Sequence, residues 1–192
     1  MNIIQIGANK GYDDVTELIK DKEISKLVLV EPFEEHNKSL NECYSNVKNF
    51  IIQNIIVQDD PSLHECSIFY HTHDASHNNA FELASLNKNH SLKIRGQYTE
   101  DGIVSRTLRC MTINQLFDQH NLTEIDLLFI DTEGYDCNII KSIDFSKYKI
   151  KELYFENLHC DVSEIRELLK SKGYEVIQNV MSHGWSDKAV LL

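Results

Sequence analysis

The sequence predicts an α/β domain built on a mostly parallel sheet, with helices on both faces and an antiparallel strand at its C-terminal end. Three observations predict it. Short β-branched apolar runs alternate with stretches of helical periodicity, the pattern of buried strands joined by crossover helices. The first run, Ile3 to Ile6, breaks at a glycine bend that leads into a helix. Finally, only about eight residues separate the last two runs, Tyr174 to Val180 and Ala189 to Leu192, whereas a parallel crossover takes a dozen or more. Those two strands must therefore be antiparallel neighbours.

A chain of 192 residues is one domain by length and can bury a proper core. No stretch approaches the roughly 18 uninterrupted apolar residues of a membrane span, and the first strand starts at Asn2 without the basic flank of a signal peptide. The expectation is a cytoplasmic protein that does not enter a membrane. Cys43, Cys66, Cys110, Cys137 and Cys160 are widely spaced and form no C-x-x-C pair, so reduced thiols are expected rather than a disulfide framework or a zinc ribbon. The formal net charge is −11, with no basic cluster to offset it. A polyanionic backbone is repelled by such a chain, so nucleic acid is disfavoured and a small-molecule or carbohydrate acceptor fits better.

Gly7 and Gly11 sit in a Gly-x-x-x-Gly bend, not the G-x-G-x-x-G of dinucleotide folds. The helix opening at Asp13 or Asp14 would aim free amides at a ligand lying over this bend; Val15, Leu18 and Ile19 form its apolar face. A second strand, Lys26 to Val30, runs into Glu31 and Pro32, roughly twenty residues past the glycines, where an acid can accept bonds from both ribose hydroxyls. Leu40, Cys43, Tyr44 and Val47 mark the next helix, and a third strand runs from Asn49 to Gln53. Asn54 and Ile55 follow it, placed where an adenine edge could meet the backbone. Ser67 to Tyr70 reads as a strand at a sheet edge.

From about 71 to 104 the chain is irregular and polar, holding His71, His73, His77 and His90. Histidines two apart could hold a metal, but no carboxylate or cysteine completes a recognisable ligand set there. A loop that covers the site and reads the acceptor is the expectation. Order returns with a strand at Ser105 to Met111 and a Thr112/Gln115 capping box opening a helix. The run Ile125 to Ile130 then emerges into Asp131-Thr132-Glu133-Gly134-Tyr135-Asp136. Ligands of open parallel sheets bind at the carboxyl ends of the strands, so Asp131 and Glu133 should face the crevice of Gly7 and Glu31. A fifth strand, Glu152 to Phe155, ends in Glu156 and His159 at the same edge; Asp161 and Glu164 cap the following helix and Gly173 closes it.

Six segments in this order resemble the FkbM-family methyltransferases: IQIGANKGY from Ile4, VEPFEEH from Val30, ASLNKNH from Ala84, LRCMTINQLF from Leu108, IDTEGYD from Ile130 and YFENLH from Tyr154. The resemblance implies a Rossmann-like class I methyltransferase sheet with an antiparallel seventh strand, S-adenosyl-L-methionine as cofactor, and O-methylation of sugars or other hydroxyls. It implies that Gly7, Ala8, Asn9, Lys10 and Gly11 wrap the methionine part of the cofactor, that Glu31 with Pro32 holds the ribose, and that Asp131 and Glu133 line the junction with the acceptor. Gln5 stands where the family usually has an acid, and Asp136 where it has glutamate. The chain also begins directly at the first strand, leaving a more open mouth that a partner or a second copy could cover.

On this reading His159 and Glu133 are the candidate bases, with Asp131 and Glu156 orienting or polarising. Three alternatives stay open at this point: Asp131, Glu133 and His159 holding Mg²⁺, a nicotinamide-dependent oxidoreductase, and a cofactor-binding module without turnover.

Overall fold

The computed structural model describes residues 1–72, 81, 83–90, 102–181 and 185–192. Its strands are β1 (Asn2–Ile6), β2 (Lys26–Val30), β3 (Phe50–Gln53), β4 (Ile56–Gln58), β5 (Glu65–His71), β6 (Ile103–Thr112), β7 (Glu124–Ile130), β8 (Lys149–Glu156), β9 (Tyr174–Ile177) and β10 (Ser186–Leu191). The α-helices are α1 (Asp14–Ile19), α2 (Asn37–Cys43), α3 (Ile113–Gln119), α4 (Asp136–Ser142) and α5 (Val162–Ser171).

The central sheet has the order β3-β2-β1-β7-β8-β10-β9. From β3 to β8 every neighbour is parallel, and β10 runs antiparallel to both β8 and β9. The terminal hairpin is as the short connection requires, with the last strand slotted between the two before it.

Strand periodicity sorts the core into two layers. Ile4, Ile6, Val28, Val30, Leu128 and Ile130 pack on one side with Ile113, Leu116 and Phe117 of α3, Ile139 and Ile140 of α4, and Ile165 and Leu169 of α5. The alternate residues Ile3, Leu27, Leu29, Leu127 and Phe129 pack on the other, with Val15 and Ile19 of α1 and Leu40 of α2. Each buried aliphatic side chain contributes roughly 1.5–3 kcal/mol. A strand with both faces covered has no room for polar residues, hence the near-continuous apolar runs. Caps set the helix starts: Thr112 and Gln115 form the reciprocal box on α3, and Asp161 accepts from Ser163 N at α5.

Two features depart from the sequence expectation. A separate sheet, β4-β6-β5, stands beside the main one; β4 has only three residues, too few for a periodic signal, and pairs parallel with β6. Cys137 and Cys160 are bonded rather than reduced, their Cα atoms 6.2 Å apart, because the first turn of α4 lies against the segment entering α5. Cys43, Cys66 and Cys110 are free thiols. His73 and His77 lie outside the described residues. Among the described residues no helix is long and apolar enough to cross a membrane.

Candidate active site

The bend after β1 is shaped by close contacts. Gly7 has φ +82°, and a Cβ there would lie 1.7 Å from the backbone oxygen of Asp131; only glycine lets β1 and β7 end this close together. The Gly7 and Ala8 amides both donate to Val30 O at 3.0 Å, and Gly11 N donates to Ala8 O at 2.9 Å. Asp13 caps α1, accepting from Val15 N and Thr16 N, so these two amides are not left open to a ligand as the sequence suggested. Gln5 Nε2 donates to Asp13 Oδ2 and Tyr44 OH donates to Gln5 Oε1. The acid missing at position 5 is thus replaced by one bonded to that position, and burial raises the pKa of Asp13.

Glu31 is buried. Its Oε2 accepts from Asn9 N at 2.8 Å and its Oε1 from Phe33 N at 3.0 Å, which ties the tip of β2 to the glycine bend. Asn54 turns its amide back to Glu31 O at 2.9 Å and pairs with the Asn37 side chain, so it braces the tip of β2 from outside the cavity.

The loop after β7 is the most constrained. Glu133 has φ +54° and Gly134 φ +94°, a left-handed turn that a bulky residue adopts only when its surroundings over-determine it. Ser85 Oγ donates to Glu133 O at 2.7 Å, and His90 Nε2 lies 2.8 Å from Glu133 Oε2. The His159 ring stands edge-on to His90, centroids 4.5 Å apart at 86°. Asp136 is fully buried, accepting from Thr132 N, Thr132 Oγ1 and Glu156 N, which locks the β7 loop to the end of β8.

Acids crowd this edge. Asp131 is exposed at the edge of the cavity, and desolvation by the packed chain around it, then Asp136, Glu133 and Asp13, push its pKa well up. Burial raises Asp136 to about 6 against its three hydrogen bonds. Glu156 rises to about 9 through burial and through Asp131, Asp136 and Glu133, so it keeps its proton at pH 7. Burial and then His90 lower the pKa of His159 against the pull of Glu133.

One cavity gathers Gly7, Asn9, Glu31, Pro32, Asp131 and Glu133 from the sequence reading. Ala8, Lys10, Gly11, Asn54, Glu156 and His159 stand outside its wall. Ala8 is fully buried under the bend, Lys10 O accepts from Ser39 Oγ, and Gly11 packs against Cys43 and Tyr44. The sequence reading missed the apolar wall, Phe33, Ile56, Val57, Ile68, Phe81 and Leu86, with Phe33 and Phe81 stacked at 4.0 Å. It also gave His90 no role, although that residue closes the ASLNKNH segment.

A sulfonium nucleoside with an amino-acid tail suits this cavity: an apolar wall for the base, an acid at the second strand tip, and carboxylates for the two cationic groups. Asn9 Oδ1 is buried with no hydrogen-bond partner among the described residues, an acceptor waiting for a donor. The sheet order with its antiparallel β10 is that of the class I methyltransferase fold. The match is specific to one family, since residues 5–176 fit the methyltransferase FkbM domain. The chain belongs to the FkbM methyltransferase family, and its cofactor is S-adenosylmethionine. A methyltransferase FkbM from Methylobacillus flagellatus KT is similar in structure, with a TM-score of 0.56 at 10% identity, over 98% of this chain and 43% of that one; the present chain thus spans less than half of that protein's length. A precorrin-6y C5,15-methyltransferase from Geobacter metallireducens GS-15 gives 0.49 at 10% identity, over 99% and 80% of the two chains. A putative tRNA (m1A22) methyltransferase from Streptococcus pneumoniae gives 0.47 at 10%, over 98% and 61%. At these identities the likeness is one of fold. Among curated proteins none matches the sequence.

Proposed function

We propose that the protein methylates a hydroxyl of a sugar, glycan or other small molecule. The observation that carries this reading is the placement of Asp131 and Glu133 on the wall of the cavity that also holds Gly7, Asn9 and Glu31, with His90 and His159 gathered behind Glu133. S-adenosylmethionine, held by the glycine bend and Glu31, would supply an electrophilic methyl carbon on a neutral-thioether leaving group to an acceptor oxygen on the Asp131 and Glu133 side of the cavity. Glu133, on the cavity wall, receives the hydroxyl proton, with His159 as the second candidate base and His90 holding Glu133 in place. Asp131 and Glu156 orient or polarise the acceptor oxygen. Positioning is worth up to about 7–11 kcal/mol and a general base on the order of 10²- to 10⁴-fold. A net charge of −11 favours a neutral acceptor over nucleic acid. The antiparallel β10 counts against the nicotinamide alternative, whose sheet stays parallel.

The test is turnover of S-adenosylmethionine against a panel of glycosides and small alcohols, with the product's methyl position assigned by NMR. Glu133→Gln should lower kcat by about 10²- to 10⁴-fold, and His159→Ala should also slow turnover while the affinity for S-adenosylhomocysteine is kept. Methyl transfer to nitrogen or carbon would overturn the hydroxyl assignment. Tight cofactor binding without turnover across the panel would favour the binding-module reading.

A further inference from the structure

We propose that His90, Glu133 and His159 form a binding site for one divalent first-row transition-metal ion, which presents an open coordination position to the acceptor oxygen. The role given to the ion rests on the methyl-transfer reading; the site itself does not.

One ligand atom from each of the three residues lies within 4.8 Å of the others. His90 Nε2 and Glu133 Oε2 are 2.8 Å apart, a few tenths of an ångström short of the roughly 3.0–3.4 Å between two donors each about 2.1 Å from one ion at octahedral or tetrahedral angles, so a small opening of the pair admits an ion. A modest swing of His159, a quarter exposed at 26%, completes the set, whereas His90 at 5% is held fast. The ion pair between His90 and Glu133 joins two of the three; the third, His159, stands edge-on to His90 with its Nε2 3.6 Å from Glu156 Oε1, and this second imidazole gives the cluster its third donor.

The backbone is arranged for this meeting. A Cβ at position 134 would lie 3.1 Å from His159 Cβ and 3.3 Å from His90 Nδ1, so Gly134 lets both rings approach. Ser85 Oγ joins two of the contributing segments, donating to Glu133 O and accepting from Asn87 N. His90 and Glu133 are therefore held together before any ion arrives, and His159 is the ligand that moves.

Donor type names the ion class. Two imidazoles and one carboxylate suit Zn²⁺, Co²⁺, Fe²⁺ or Mn²⁺, whereas Mg²⁺ and Ca²⁺ prefer oxygen throughout. The ligand set differs from the one read in the sequence, with His90 in place of Asp131. Three protein donors leave a position open, as in catalytic rather than structural sites. Since Glu133 also lines the cavity, an ion held by these three residues would sit at the cavity wall and could polarise an acceptor hydroxyl there.

The experiment uses untagged protein stripped with chelator and titrated with Co²⁺, followed by calorimetry and by the visible Co²⁺ absorption, with S-adenosylhomocysteine titrated in parallel. One equivalent of Co²⁺ should bind with a ligand-field band, and His90→Ala and His159→Ala should each weaken it by about 100-fold or more, since loss of even an outer-sphere partner costs 10- to 100-fold. The nucleoside affinity should stay within about twofold in both variants, which shows them folded. Absence of stoichiometric Co²⁺ binding, or binding untouched by both substitutions, would overturn the site even where the nucleoside binds normally. Co²⁺ binding without nucleoside binding would leave the site standing and remove the methyl-transfer reading instead.

Discussion

Replacing Glu31 by Gln tests the link between fold and cofactor at a single buried group. The carboxylate accepts two backbone amides, Asn9 N at 2.8 Å and Phe33 N at 3.0 Å, one on each oxygen. Glutamine keeps the shape but has one oxygen, so one of these amides must face an NH₂ group. The loss of one charge-assisted bond, with its N–H left buried, costs about 2–3 kcal/mol. At about 2–4 °C per kcal/mol for a domain of this size, the melting temperature should fall by roughly 4–12 °C. If the same carboxylate also accepts the ribose hydroxyls, binding loses a further charged hydrogen bond of about 1.5–3 kcal/mol, and the Kd for S-adenosylhomocysteine rises about 10- to 150-fold. Glu34→Gln removes the same charge from an exposed position three residues away and should change the Kd by less than about twofold. Calorimetry on both variants, well below their melting temperatures, separates the two. A folded Glu31→Gln protein that binds like wild type would refute the assignment of the ribose to this residue.

Gly7→Ala should be far more damaging than Gly11→Ala. At Gly7 the added carbon meets backbone at 1.7 Å, whereas at Gly11 it meets Cys43 Sγ at 2.9 Å and Cβ at 3.0 Å, side-chain atoms that can yield; denaturant midpoints should show a loss of about 4 kcal/mol or more against about 1–2 kcal/mol, and equal losses would discard the contact as the cause. Reducing the Cys137–Cys160 bond frees a loop of 23 residues in sequence separation, so by chain entropy reductant should remove about 3 kcal/mol of stability; a melting temperature indifferent to reductant would argue that the bond does not form. His120 is lowered in pKa by burial and then by Lys26, so the unfolded chain takes up its proton more readily than the folded one. That group's contribution is present above its unfolded pKa of about 6.5 and is lost as pH falls below it. His120→Gln should therefore lose less stability than wild type between pH 7.5 and 5.5, and an identical slope in the two proteins would rule the residue out.

Local chemistry made much of the fold legible. Runs such as Ile125 to Ile130 announce strands covered on both faces because burial on two sides excludes polar residues, and the Thr112/Gln115 box marks a helix start because its bonds span three residues. The short final connection settled the antiparallel ending from chain length alone. Gly7, Glu31 and Asp131 could be placed on one cavity because parallel strands deliver all their carboxyl ends to the same edge. Other features left no local trace. Three residues of β4 carry no period, and the spacing of Cys137 and Cys160 does not reveal that α4 and the segment entering α5 lie side by side.

What the sequence determined by itself was the strand and helix pattern and the sheet edge at which the cavity opens, since these follow from periodicities of two and 3.6 residues and from turn preferences. Only the tertiary structure decided that His90, 43 residues from Glu133, closes on it and on His159, and that Glu156 keeps its proton among neighbouring acids. Contacts between distant segments, and the desolvation that shifts a carboxyl group, arise only when the packed chain brings those segments together and excludes water from between them.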